Sequence, residues 1–223
     1  MKILIITGGK IDDDFAFSYL KGKTYDEVIA VDGGLAFADR ADMKITQLVG
    51  DFDTIDPQIL ERYIHRTDLT VHQFIPEKDY TDTDIAVKLA IRLFGEKTQA
   101  NEEKKLEIIG CTGSRMDHVL ANLQMLKLTM DKGVDAALID ATNRIHMITG
   151  ERILHKTETF GKYVSLVPIT ETVAGITLRG FKYPLENAET HFGESLCVSN
   201  ELIEEEGYIK IEKGLAYLIE SRD

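Results

Sequence analysis

The stretch Leu48-Val49-Gly50-Asp51-Phe52-Asp53-Thr54 halts an apolar run at a glycine and follows it with two aspartates flanking one aromatic. If the chain stays extended there, side chains two apart share a face with their α-carbons roughly 6.6 Å apart. Asp51 and Asp53 would then face the same way, with Phe52 turned into apolar packing. Two carboxylates that close repel by about 3 kcal/mol at an effective dielectric near 20, so either water screens them or a cation sits between them. Three other stretches bear comparable residues: Asp32-Gly33-Gly34, Lys78-Asp79-Tyr80-Thr81-Asp82, and Gly110-Cys111-Thr112-Gly113-Ser114-Arg115-Met116-Asp117-His118. Singly, each has a plain reading. Asp12/Asp14 and Asp82/Asp84 repeat the Asp-x-Asp spacing, Asp12 to Asp14 suit a helix N-terminus, Thr81 or Asp82 suits an N-cap, Asp32-Gly33-Gly34 suits a turn, and a lone His118 suits a surface. Together, carboxylates beside glycines and an arginine fit Mg²⁺ with polyphosphate, because Mg²⁺ takes carboxylate and water oxygens and shares its shell with phosphates. Gly113-Ser114 at a helix start can offer backbone N–H groups to an anion, and Arg115 adds a planar donor fork.

These residues need elements to bring them together. "KILIITGG", "DEVIAVDGG", "ITQLVGDFD", "KLEIIG" and "VDAALID" read as buried strands, most ending in glycine or aspartate. Between them, "DDDFAFSYLKGK" is a capped helix closed by Gly22, "DYTDTDIAVKLAIRLFG" carries Ile85, Leu89 and Leu93 on one stripe with Gly95 at its end, and "MDHVLANLQMLKLTMDKG" is a third helix. Strands alternating with helices predict a mostly parallel, Rossmann-like α/β domain, and ligands in such sheets collect at the carboxyl ends of the strands. The charged segment 95–105 reads as a solvated loop. From about Gly150 the period changes to alternating β-branched and aromatic residues, which predicts a C-terminal all-β sandwich or barrel. "YIKIEKGLAYLIES" reads as a hairpin turning at Lys213-Gly214. The expected domains are 1–148, an α/β unit carrying the Mg²⁺ and polyphosphate residues, and 149–223, an all-β unit.

The chain has 223 residues, with 26 basic against 38 acidic side chains and a formal net charge of −12. It carries no basic stripe, which argues against nucleic acid as a partner. Cys111 and Cys197 fit no disulfide framework or zinc spacing. The opening "MKILIITGG" is too short in apolar residues for a signal peptide or membrane span, so no membrane association and a cytoplasmic location are expected. A Gly-x₄-Gly-Lys-[Ser/Thr] loop is absent, "TGGKID" is not Gly-x-Gly-x-x-Gly, and no Gly-x-Ser-x-Gly elbow supports a serine hydrolase.

In this order, "DGG", "GDFDT", "KDYTD" and "GSRMDH…N", followed by a β-rich tail with "SN", resemble the thiamine pyrophosphokinase (thiamine diphosphokinase) family over nearly the whole chain. The resemblance implies transfer of the β,γ-diphosphate of ATP to the hydroxyl of thiamine, with release of AMP, by a homodimer whose active site lies at the interface. It implies that Asp51, Asp53 and Asp82 hold Mg²⁺ and polyphosphate, with Asp32, Lys78 and Asp79 nearby and Asp82 orienting or deprotonating the acceptor. It further places Gly113, Ser114, Arg115, Asp117 and His118, with Asn122 one turn on, on the nucleotide side, and Ser199 and Asn200 in the thiamine pocket. Family members often have serine where this chain has Cys197, and Tyr217 offers either an aromatic wall or core packing. Two further readings keep the pocket: a Mg²⁺-dependent nucleotide hydrolase, and a non-catalytic nucleotide- or thiamine-binding regulator.

Overall fold

A computed structural model describes residues 1–74, 79–99 and 101–223. The chain forms two compact units, Met1–Ala141 and Thr142–Asp223. The expected boundary at 148/149 falls inside one long strand, β7 (Asn143–His155), which passes through Gly150 at φ +70° without stopping. The glycine that signals a change of period kinks a strand and does not end a domain.

In the first unit, β1 (Lys2–Ile6), α1 (Asp13–Leu20), β2 (Glu27–Val31), α2 (Gly34–Arg40), β3 (Gln47–Gly50), α3 (Pro57–Ile64), β4 (Thr70–Gln73), α4 (Asp82–Lys97), β5 (Lys105–Ile109), α5 (Met116–Met130) and β6 (Asp135–Ile139) follow in turn. The strands are parallel in the order β6-β5-β1-β2-β3-β4. Odd and even positions of β1, β2 and β3 are alike buried, as a sheet covered on both faces requires. The predicted α/β class is the one found. Local signals explain the helix ends. Asp12 caps α1 by accepting from Phe15 N at 2.8 Å; Asp56 caps α3 by accepting from Gln58 N at 2.8 Å, with Pro57 in the first turn. α4 runs through Gly95 to Lys97 instead of ending at that glycine, because Thr98 closes it by donating its N–H to Phe94 O at 3.2 Å. The first three residues of the expected 95–105 loop are therefore helical.

The second unit is all β. β7 is followed by β8 (Tyr163–Pro168), β9 (Thr172–Arg179), β10 (Leu185–His191), β11 (Asn200–Glu201) and β12 (Glu206–Ser221). The expected hairpin at Lys213-Gly214 does not form. Both arms pair with β7 in one antiparallel direction, Glu206 with His155 at one end and Ser221 with Asn143 at the other, and an irregularity between Ile211 and Ala216 takes up the extra residues. Gly214, at φ +95°, serves that bend. Tyr208 to Lys213 pair with β9, whereas Ala216 to Ser221 pair with β8, so one bent strand organises the unit. A single core of Ile176, Leu178, Phe181, Ile209, Ile211, Leu218 and their neighbours fills it.

Glu220 on β12 has a side chain only 1% exposed and meets Arg144 of β7 at 2.8 and 2.7 Å while accepting from Phe160 N at 2.9 Å. Removing one partner strands the other charge in a poorly solvated place. Glu220→Ala should destabilise the protein by about 3–5 kcal/mol, and chemical denaturation compared with the parent measures it; a loss within error would show that water already compensates Arg144.

Candidate active site

Strand order creates the site. From β1 the sheet grows one way to β2, β3 and β4 and the other way to β5 and β6, so the connections leaving β1 and β5 part at a switch point, where a crevice opens at the carboxyl ends. A cleft of about 1030 Å³ lies there. The loops after β1 and β5 are laced together. Thr7 N donates to Ile109 O at 3.0 Å, Gly9 N to Gly110 O at 2.9 Å, and Lys10 N to Thr112 O at 2.8 Å. The Thr7 hydroxyl also donates to Gly110 O, and the buried Asn122 amide reaches from α5 to Cys111 O at 2.7 Å. Four consecutive carbonyls, 109 to 112, are thus held. A Cβ on Gly9 would lie 2.1 Å from Gly110 O, so only glycine allows this approach.

The carboxylates come from the other side of β1. Asp32 leaves β2 in the left-handed region at φ +42° and accepts from Phe52 N at 3.3 Å. Gly50 makes room for it, since a Cβ there would stand 1.7 Å from Asp32 Oδ1. Past Gly50 the chain is not extended. Phe52 adopts φ +68° and Asp53 N donates back to Asp51 Oδ1 at 3.2 Å. The expectation that Asp51 and Asp53 share a face fails for this reason: the turn places Asp51 on the cleft and leaves Asp53 exposed and outside its lining, while Phe52 is buried as expected. Asp82 opens α4, whose N-cap is Thr81, accepting from Asp84 N at 3.2 Å. Asp32, Asp51, Asp79 and Asp82 all line the cleft. Burial, together with the neighbouring Asp82 and Asp51 charges, raises the Asp32 carboxyl to about 7, against the pull of the Phe52 N–H.

On the β5 side, Gly113, Ser114, Arg115 and His118 line the cleft ahead of and within the first turn of α5. Arg115 is engaged by Asp117 at 2.7 and 3.3 Å, which holds the exposed Asp117 carboxyl down at about 2. Asp117 itself is not part of the lining and acts here as the partner of Arg115. Lys78 lies outside the described residues. Sequence reading gave no role to Thr7, Gly8, Gly9 and Lys10, all on the cleft. Their signal was "TGG" closing a buried strand, discounted because it matches no dinucleotide fingerprint. Cys111 and Cys197 are free and buried, and burial pushes their thiols up to about 12 and about 11.

In the second unit, Ser199 is exposed at φ +59°, its N–H donated to Ser165 Oγ at 2.9 Å. Asn200 is buried and occupied: its amide donates to Tyr183 O at 2.8 Å and accepts from Tyr183 N at 3.0 Å and Glu201 N at 2.9 Å. It braces the turn beside Ser199. Tyr217, half-buried on β12, pairs with Met147 and Val167.

Among the described residues no three acidic, cysteine or histidine side chains already form a metal-ligand cluster. Mg²⁺ needs no such cage, since one or two carboxylates plus water and phosphate oxygens complete its shell. The crowding of Asp51 and Asp82 around Asp32 supplies hard oxygen donors whose repulsion a cation would relieve, so the residues fit the metal.

Because the folded state binds the Asp32 proton more tightly than the unfolded chain does, the linked stability is fully present below the ordinary aspartate range and is lost as pH rises through about 7. In metal-free protein, Asp32→Asn should therefore flatten the fall in melting temperature between about pH 5 and pH 8 and raise stability at the upper end. Melting curves across that range check it, and parallel profiles for parent and variant would remove the carboxylate coupling.

Residues 20–138 match the family model described as thiamin pyrophosphokinase, catalytic domain, and residues 146–216 match thiamin pyrophosphokinase, vitamin B1 binding domain. The chain is 36% identical over 196 residues to thiamine pyrophosphokinase of Bacillus subtilis, covering 87% of each chain. It superposes on the crystal structure of a Bacillus subtilis thiamine pyrophosphokinase with a TM-score of 0.85 at 34% identity over 100% of both chains. On the Geobacillus thermodenitrificans thiamin pyrophosphokinase the TM-score is 0.82 at 31% identity, covering 100% of this chain and 98% of that one. The chain belongs to the thiamin pyrophosphokinase family.

Proposed function

We propose that this chain transfers the β,γ-diphosphate of ATP to the hydroxyl of thiamine, giving thiamine diphosphate and AMP. The observation that carries the reading is the switch-point cleft, with Asp32, Asp51, Asp79 and Asp82 on one side and the held Gly110–Arg115 loop on the other. Family membership supports the acceptor and the donor. Phosphoryl-type transfer asks chiefly for alignment and charge neutralisation. The thiamine hydroxyl oxygen bonds to the β-phosphorus, the bond from that phosphorus to the α–β bridging oxygen breaks, and AMP leaves with the bridging oxygen. Asp82 orients the hydroxyl and receives its proton. Asp51 and Asp82 would hold Mg²⁺, which when bound would neutralise phosphate charge, with Asp53 beside them on the turn. Asp32 and Asp79 sustain the negative potential that attracts the ion, while Gly113, Ser114, Arg115 and His118 receive the nucleotide. Lys78 is carried in this reading from the sequence alone.

The same reading includes a homodimer, with the cleft of one copy completed by the β unit of the other, where exposed Ser199 meets thiamine and Asn200 supports it from behind. The two unpaired, buried thiols suit a reducing cytoplasm. No helix among the described residues is long and apolar enough to cross a membrane.

Incubation with ATP, Mg²⁺ and thiamine should yield AMP and thiamine diphosphate in equal amounts. ADP with thiamine monophosphate would mean attack at the γ-phosphorus, and AMP formed without thiamine would favour the hydrolase. Asp51→Asn should lower kcat by about 10² or more, in line with loss of an electrostatic group at the reacting centre, with unchanged or higher stability in metal-free protein.

Asp82→Asn and Ser199→Trp chains should each be nearly inactive alone. Refolded together, they should regain activity in proportion to the heterodimer, which separately tagged chains report, because one of its two sites carries neither lesion. Heterodimers without recovered activity would place each site within one chain.

A further inference from the structure

The cleft is electrostatically lopsided along the sheet edge. Running from β3 through β2 to β1 and β5, its rim goes from Asp51 to Asp32, then to the Thr7–Lys10 loop, then to the Thr112–Arg115 loop. Any polyanion that touches both the carboxylate-bound cation and the N–H groups before α5 must cross the loop after β1. The part of that loop on the cleft carries one charge, Lys10. Among the described residues the lining holds four carboxylates, Asp32, Asp51, Asp79 and Asp82, against two permanent cations, Lys10 and Arg115. Arg115 is engaged on two sides by Asp117. The Lys10 ammonium forms no ion pair with any described residue, and its side chain is exposed on the cleft.

Its backbone, in contrast, is fixed. Lys10 N donates to Thr112 O at 2.8 Å, Gly9 N to Gly110 O at 2.9 Å, and a Cβ on Gly113 would lie 3.6 Å from Lys10 N. An exposed ammonium thus stands on a fixed stem between the acidic side and the anion-receiving side. A lysine so placed meets a phosphate as a point charge with three donors.

We propose that Lys10 is a substrate-binding residue that contacts the polyphosphate of the nucleotide where it spans the β1 loop, and that it discriminates ATP from nucleotides lacking that chain. The inference rests on the reading of this cleft as an ATP site. It predicts a pattern that a structural role would not give, since the side chain is exposed and among the described residues forms no ion pair whose loss would unfold the protein.

Calorimetric titration with MgATP and, separately, with AMP tests it on the full-length parent, Lys10→Ala, Lys10→Gln and Lys10→Arg. Loss of a charged hydrogen bond should weaken MgATP binding roughly ten-fold or more in the Ala and Gln variants. The Arg variant, which keeps the charge, should stay within about three-fold of the parent, and AMP affinity should change by less than about two-fold in all of them. In turnover, KM for ATP should rise in the Ala variant by more than kcat falls. Lys10→Ala that binds MgATP as the parent does, or that loses AMP affinity equally, overturns the proposal. A parent that binds MgATP but makes no thiamine diphosphate sinks the proposed reaction while leaving the binding comparison readable, and a parent that binds no MgATP sinks both.

Discussion

The carbonyls of residues 109 to 112 must all find donors, and the way they do so sets the rest of the first unit's chemistry. Buried backbone groups at the end of a parallel sheet have no further strand to pair with. Here the neighbouring loop supplies Thr7, Gly9 and Lys10, and α5 supplies Asn122. Each trans peptide sets its N–H opposite its C=O, so tying the carbonyls into the scaffold aims the following N–H groups away from it. A rigid loop that presents backbone N–H groups is a place for an anion that costs no reorganisation when the anion arrives. The glycines follow from this. Gly9 and Gly110 let two loops approach within van der Waals distance, with Gly110 at φ +72° where other residues are strained.

The carboxylate side shows the opposite bargain, stability given up for function. Asp32 at φ +42° and Phe52 at φ +68° both sit where side chains are strained, at on the order of 1–3 kcal/mol each. Asp32 also keeps its proton to about 7 because it is buried and because Asp82 and Asp51 crowd it. Burial of Phe52 helps to offset the strain, since its ring packs with a residue exposure of 6%. Such clustering of strain and like charge is the mark of a functional site.

The strands and their terminal glycines and aspartates were legible because buried runs and Gly-Gly endings are local signals. Strand order was not: nothing local in "KILII" or "KLEII" says that β1 and β5 lie side by side, and the switch point with its Lys10 loop is a consequence of that pairing. Asp53 was misplaced because Phe52 in the left-handed region has no sequence signature, aromatic residues being unusual there. The edge strands β4 and β10 went unread because partly exposed, polar runs such as Thr-Val-His-Gln lack the apolar alternation by which strands are recognised. The β12 hairpin was misread for a different reason. Lys-Gly between two alternating runs satisfies a turn rule and a bulge rule equally, and only the continuous partner β7 decides.

Asn200 and Ser199 show how far a motif can be divided into roles. As sequence they are one dipeptide, but the backbone separates them. Asn200 spends its amide on both polar groups of Tyr183 and on Glu201 N, so it has little left to offer a substrate. Ser199, at φ +59° and with its N–H held by Ser165, is an exposed residue on a backbone with little freedom left. The first unit uses the same division. Asn122 grips Cys111 from within while Thr112 to Arg115 face the cleft. In both units a buried asparagine fixes the backbone that presents a neighbour. An amide suits that task because it can donate and accept at once without bringing a charge into the protein interior.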